Sequence, residues 1–208
     1  MCATLADQGE SILFRNYSVP LDPGPVSSAA KSFKFEEVTI GDACRATSAA
    51  PTYLPEINIQ GLNFWDGGLL NNNPIDQVWD NRYDLTPESR TSPHVSCILS
   101  LGCSHQEYSA TLRPTYVWRW LNTVSKLASF VTNTEAKHRD FQRNMDSRNA
   151  RKSDSQVGYF RFNASTGTDA IDLDDFDKMN KLREYTEQYL RRPDVQDQIE
   201  KCARLLAK

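Results

Sequence analysis

Apolar positions fall in short, tightly spaced groups through the first hundred residues and at three- and four-residue steps towards the C-terminus. Residues 2–6 and 11–17 read as two strands joined at Asp7-Gln8-Gly9, a turn-forming stretch. Phe33, Phe35 and Val38 alternate with polar residues and predict a short extended segment. Residues 40–50 read as a helix of small residues that stops at Pro51. A β-rich run over 57–65 follows, then a helical turn over 74–79 with Ile75, Val78 and Trp79 on one face. Val95-Ser96-Cys97-Ile98-Leu99-Ser100-Leu101-Gly102 is an almost continuous apolar run ending in glycine. Its length and composition predict a buried parallel strand.

The second half is more helical. Residues 115–145 read as one long helix or two, with Tyr116, Trp120, Val124, Leu127 and Val131 along a stripe. Such a stripe serves either a protein core or a lipid interface. The polar side mixes both charge signs, which favours the core. Residues 158–163 form a short strand. Two helices close the chain, 177–191 and 194–207, split at Pro193. Met179, Leu182, Tyr185, Thr186 and Leu190 make the first stripe; Val195, Ile199, Cys202, Leu205 and Leu206 make the second. The acids of 169–177 lack the central glycine and terminal glutamate of a calcium loop, so they read as helix N-capping. Pro20, Pro23, Gly24 and Pro25 mark a loop, either a plain connection or the rim of an entrance.

Charge narrows the choice of partners. With 24 basic and 27 acidic residues the net charge is −3, so no broad basic field exists for nucleic acid. No apolar run approaches the ~20 residues that a bilayer span requires, and Met1 is followed by neither a basic nor an apolar leader pattern. Five scattered cysteines without a C-x-x-C pair point to a reducing, cytoplasmic compartment and away from a zinc site. His94, His105 and His138 have no carboxylate or serine at a telling spacing, so no metal or histidine-based chemistry is expected.

Candidate chemistry concentrates at Phe64-Trp65-Asp66-Gly67-Gly68-Leu69-Leu70-Asn71-Asn72-Asn73-Pro74. A strand ends on an acid, and two glycines permit a tight turn or a close backbone approach. Asn72 and Asn73 offer amides to tie the loop down, and Pro74 suits the start of a helix. Taken alone, the pattern fits a turn that uses Asp-Gly for geometry as well as it fits a catalytic carboxylate at a strand end.

Upstream, Ala46-Thr47-Ser48-Ala49-Ala50-Pro51 ends the predicted helix. Together with Asp66-Gly67-Gly68 and Asn72-Asn73-Pro74 it resembles the C-terminal part of a patatin-like phospholipase domain. Tyr159-Phe160-Arg161-Phe162-Asn163 is similar to a strand of the calcium-independent branch of that family. The resemblance implies a three-layer α/β fold, a parallel-type sheet flanked by helices, incomplete at the N-terminus and helical towards the C-terminus. It divides the chain into 1–104, part of the catalytic core, and 105–208, a mostly helical continuation of the same domain. It also implies hydrolysis of lipid or phospholipid esters by a Ser–Asp dyad, without cofactor or metal, and with peripheral contact to a membrane. Asp66 would be the dyad base, supported by Gly67, Gly68, Asn72, Asn73 and Pro74, with Trp65 and Leu69 as apolar cover. The family's G-x-S-x-G nucleophile elbow and glycine-rich oxyanion loop do not occur in these 208 residues. Ala46-Thr47-Ser48-Ala49-Ala50 belongs to the helix end, and Gly102-Cys103-Ser104-His105-Gln106 lacks the closing glycine. The expectation is a truncated enzyme without turnover of its own; the competing one is a non-catalytic lipid- or protein-binding module.

Overall fold

A hairpin opens the chain: β1 (Cys2–Leu5) pairs antiparallel with β2 (Glu10–Leu13), the turn closing on Gly9 at φ 63°. The computed structural model describes residues 1–17, 33–51, 53–85, 94–105, 134–152, 156–167, 169, 171 and 175–207. The proline-rich loop at 20–28, most of the helix expected at 115–145 with Trp120, Val124, Leu127 and Val131, and the acids Asp172 and Asp174 lie outside them. The chain divides into two compact units, one formed by the described residues up to Leu85 with Thr134, the other by 94–105 and those from Glu135 on.

In the first unit the run at 57–65 is broken in two. Gln60 and Gly61 both take positive φ, 51° and 84°, as a primed hairpin turn requires. The turn separates β3 (Ile57–Ile59) from β4 (Leu62–Asp66), and the Asn58 side chain accepts the Gly61 N–H at 3.1 Å. β4 also pairs antiparallel with β1, giving a four-stranded sheet in the order β2-β1-β4-β3. Helix α1 (Ile40–Thr47) packs on one face of this sheet through Ala43 and Ala46, whose small side chains admit close approach. Its start is fixed by a capping box, Thr39 accepting from the Asp42 N–H while Asp42 accepts from the Thr39 N–H. Ala3, Leu5 and Phe64 are fully buried there, and Phe64 meets Phe14 and Phe33 at ring-centre distances of 5.5 and 5.6 Å.

The extended segment expected at 33–38 is instead a 3-10 turn, Phe35–Glu37. The turn brings Phe35 edge-on to Phe33 at 4.8 Å, so both rings reach the cluster around Phe14. Beyond β4 come the short helix α2 (Gly68–Asn71), helix α3 (Ile75–Asp80) and a 3-10 turn, Asn81–Leu85. The apolar face expected for α3 is only partly used. Ile75 is buried but Val78 is exposed.

The second unit holds β5 (Cys97–Leu101) and β6 (Gly158–Phe162), parallel and in register from Cys97–Gly158 to Leu101–Phe162. The parallel pairing matches the expectation; the burial does not. Ser100 is buried while Leu99 and Leu101 are exposed, so the apolar run alternates between faces as any strand must. Helix α4 (Thr134–Arg151) supplies Phe141 and Met145 to the core, with Phe141 edge-on to Tyr159 at 4.9 Å. After a 3-10 turn at Phe176–Lys178 come α5 (Met179–Leu190) and α6 (Pro193–Leu206). Pro193 is the first residue of α6, where its missing N–H costs nothing. Val195 and Cys202 are buried on the stripe of α6, whereas Leu206 is exposed and α5 buries no residue fully. Helices, an antiparallel sheet and a parallel pair together make an α/β fold.

Candidate active site

Asp66 is the last residue of β4, and three neighbouring segments hold its backbone. It pairs with Ala3 of β1, its N–H donates to the Ala49 carbonyl at 3.0 Å, and its carbonyl accepts from Thr4 Oγ1 at 2.9 Å. The Ala49 bond joins the end of the small-residue helix to the strand end, so the two separated motifs meet at this residue. The carboxylate is half-buried, and its Oδ1 accepts the Gly68 N–H at 2.5 Å. An acceptor two residues ahead of a donor is an Asx turn, which fixes the aspartate rotamer. Among the described residues no serine hydroxyl bonds this carboxylate.

The two glycines are required for different reasons. A Cβ on Gly67 would meet the Cys2 carbonyl oxygen at 2.1 Å, so only glycine lets the loop pass under β1. A Cβ on Gly68 would fall 2.9 Å from Asp66 Oδ1 and crowd the turn. Trp65 gives no cover: alternation along β4 sends its indole outward, where Nε1 donates to Glu56 at 3.0 Å.

Of the asparagines, Asn73 is buried and donates to the Thr134 carbonyl at 3.3 Å. Asn72 is exposed at the turn. Pro74 immediately precedes α3, and its carbonyl accepts the Val78 N–H at 3.0 Å. Asn71 was not singled out from the sequence. It is buried, its N–H donates to the Gly67 carbonyl at 2.7 Å, and its Nδ2 donates to Ser11 Oγ at 2.5 Å. Nothing in a run of three asparagines tells which of them faces inward.

Beside the loop lies a cavity of about 520 Å³. Gly67 and Gly68 form part of its wall, with Leu13, Phe14, Tyr17 and Val78 making much of the rest. Asp66 itself is not among the residues that line it. Arg15 also lines the cavity, held by Asp84 at 3.0 Å and by Asn81.

The histidines lie elsewhere. His94 is exposed, and His105 Nδ1 is buried without a hydrogen-bond partner. His138 Nδ1 lies 3.0 Å from the Tyr159 hydroxyl. Within the second unit, Arg161 and Asn163 of the strand motif converge on Glu135. Arg161 bonds it at 3.2 Å and Asn163 Nδ2 at 2.7 Å, while Arg161 also donates to Ser100 Oγ at 3.0 Å. Burial raises the Glu135 pKa, but the Asn163 amide and the Arg161 guanidinium outweigh it and leave the carboxyl below its ordinary range. Asn163 Oδ1 accepts the Ser104 N–H at 2.9 Å, and a Cβ on Gly102 would strike that oxygen at 2.2 Å. These partners serve each other and so tie β5, β6 and α4 together. Among the described residues no group of three His, Cys, Asp or Glu side chains could hold a metal ion, and no helix is long and apolar enough to cross a membrane.

A family profile described as patatin-like phospholipase matches residues 15–79, the stretch that contains α1, β3, β4 and the Asp66 loop. Calcium-independent phospholipase A2-gamma of Rattus norvegicus is 29% identical over 212 residues, which is 99% of this chain and 24% of that protein. The protein of the same name from Homo sapiens is 31% identical over 140 residues, 65% of this chain and 16% of that protein. The chain thus spans about a quarter of the length of the first of these curated relatives.

Proposed function

We propose that this chain, whose residues 15–79 match a patatin-like phospholipase profile, carries the aspartate half of a lipid acyl-hydrolase site with Asp66 as its general base. The observation that carries this reading is the fixed rotamer of Asp66. Oδ1 is occupied by the Gly68 N–H, and no described group bonds Oδ2. A base held in this way meets its nucleophile without first losing rotamer freedom.

In the reaction, a serine hydroxyl placed within about 3 Å of Oδ2 passes its proton to Asp66 as the oxygen attacks the ester carbonyl. The bond to the alcohol breaks, that alcohol takes the proton, and an acyl-serine remains. Water then attacks the acyl-serine, Asp66 again taking and returning the proton, and a fatty acid leaves. Gly67, Gly68 and the buried amides of Asn71 and Asn73 hold the loop still through these steps, with Asn72 and Pro74 shaping its exit. The neighbouring cavity of about 520 Å³ has the size and apolar wall to receive part of an acyl chain. Lipid esters are reached by peripheral contact with a membrane. Five scattered cysteines without a C-x-x-C pair support a reducing, cytoplasmic setting.

The serine of this scheme is not among the 208 residues as a G-x-S-x-G elbow. That favours a second reading, a non-catalytic module that holds a lipid or a protein partner. Release of free fatty acid from phospholipid vesicles separates the two. The 208-residue chain alone is expected to show no turnover. A longer polypeptide that carries an in-frame elbow ahead of Met1 is expected to show it, and Asp66→Asn to abolish it. Turnover by the 208 residues that survives Asp66→Asn would place the site elsewhere.

A further inference from the structure

We propose that Cys97 and Cys202 are a disulfide-forming pair, a covalent modification site that clamps α6 onto the parallel strands. Their sulfurs lie 3.8 Å apart although the residues are 105 positions apart in the chain. Cys97 begins β5, half-buried, and Cys202 sits buried on the inward stripe of α6. Their approach follows from Gly158, the register partner of Cys97 on β6. A Cβ on Gly158 would meet Leu205 Cδ1 at 2.5 Å, so the missing side chain lets α6 press down just where Cys202 faces the sheet.

The 3.8 Å gap between the sulfurs must close to the ~2 Å of a sulfur–sulfur bond. Cys44 and Cys103 are exposed, and Cys44 lies 3.9 Å from the Met1 thioether, which cannot form a disulfide.

A low-molecular-weight disulfide such as oxidised glutathione is the co-reactant. The more accessible Cys97 attacks it as a thiolate, forming a mixed disulfide and releasing one thiol. Cys202 then attacks the Cys97 sulfur and releases the second. Two protons and two electrons leave the protein, and one disulfide of the oxidant becomes two thiols. Burial first, and then the neighbouring Cys202 thiol, push the Cys97 thiol up to about 11, so thiolate is scarce at neutral pH. The clamp therefore forms slowly under sustained oxidation and does not act as a rapid sensor. Once formed it closes a long loop, the case in which a cross-link restricts the unfolded chain most.

The test does not depend on lipid hydrolysis. The reduced chain is incubated for hours with excess oxidised glutathione, its remaining thiols are alkylated, and it is digested for mass spectrometry. The expected result is a Cys97–Cys202 cross-linked peptide, 2 Da lighter than the sum of its two thiol peptides, together with glutathione on Cys44 and Cys103. The Tm of the oxidised chain should rise above that of the reduced chain, and Cys97→Ser and Cys202→Ala should each remove the cross-link and the rise. Glutathione left on Cys97 without closure, both thiols alkylated, cross-links spread over all five cysteines, or a Tm that does not rise would each overturn the proposal.

Discussion

Gly67 lies so close under Cys2 that a Cβ added to it would meet the Cys2 carbonyl oxygen at 2.1 Å. The obstacle is backbone in a paired strand, and β1 is held on both sides by β2 and β4, so it has little room to yield. Gly67→Ala should therefore cost about 3 kcal/mol, the upper end for overpacking a fixed site. Urea unfolding gives the number. A loss below about 0.5 kcal/mol, the scale of an ordinary surface substitution, would mean that the loop is not pinned to β1.

The Arg161 side chain keeps only 5% of its exposure, and Glu135 keeps 23%. Arg161→Met leaves the Glu135 carboxylate and Ser100 Oγ without their cation and should cost about 3 kcal/mol, the lower figure for breaking a buried pair. Arg161→Lys keeps the charge but not the planar fork that spans both partners, and should recover only part of the loss. The double variant Arg161→Met with Glu135→Gln should be more stable than Arg161→Met alone, because the unpaired charge is gone. Equal stability of the two in urea titrations would count against the pairing.

His138 gives the second unit a pH dependence. Burial is the main cause holding its pKa below the ordinary 6.5, helped by Arg161 and Arg139 and opposed by Glu135. The unfolded chain then binds a proton near pH 6.5 that the folded chain refuses, so stability falls as pH drops through that value. Glu135, depressed by Asn163 and Arg161 against its burial, adds a further loss at lower pH, as the pH falls from the unfolded value of 4.5 through its lowered folded value. Denaturation midpoints between pH 7.5 and 5.5 should decline, and the slope should flatten in His138→Gln. An unchanged slope would remove His138 from the account.

Legibility in the sequence followed the range of the forces involved. The hairpin closed at Gly9, the start of α1 at Ile40, and the Asp66-Gly67-Gly68 strand end all depend on neighbours within a few residues, and all are found where the pattern puts them. The outward turn of Trp65 and the exposure of Leu99 and Leu101 depend on what packs against each strand face, which composition does not carry. Phe35 reads as a strand residue by alternation, yet the pull of Phe14 and Phe33 bends the segment into a 3-10 turn. Likewise Asn71 faces inward because Ser11 of the first hairpin lies beside it, a contact between residues 60 positions apart.

The decisive substitution is Asp66→Asn, because it separates folding from chemistry. The amide oxygen of asparagine can still accept the Gly68 N–H that now reaches Oδ1 at 2.5 Å. The backbone bonds to Ala49 and Thr4 do not involve the side chain at all. The fold should therefore keep its stability to within about 0.5 kcal/mol, as a substitution that preserves its hydrogen bonds does. Asp66→Ala, which removes the acceptor and frees the turn, should cost about 1 kcal/mol more. Under the proposed chemistry both variants lose the base, and an amide cannot take a serine proton at neutral pH. In the longer polypeptide with its elbow, both should lose fatty-acid release by three orders of magnitude or more, as removal of a catalytic group typically does. The outcome that sinks the reading is asymmetric: full stability together with retained turnover in Asp66→Asn would make Asp66 a turn residue and nothing else.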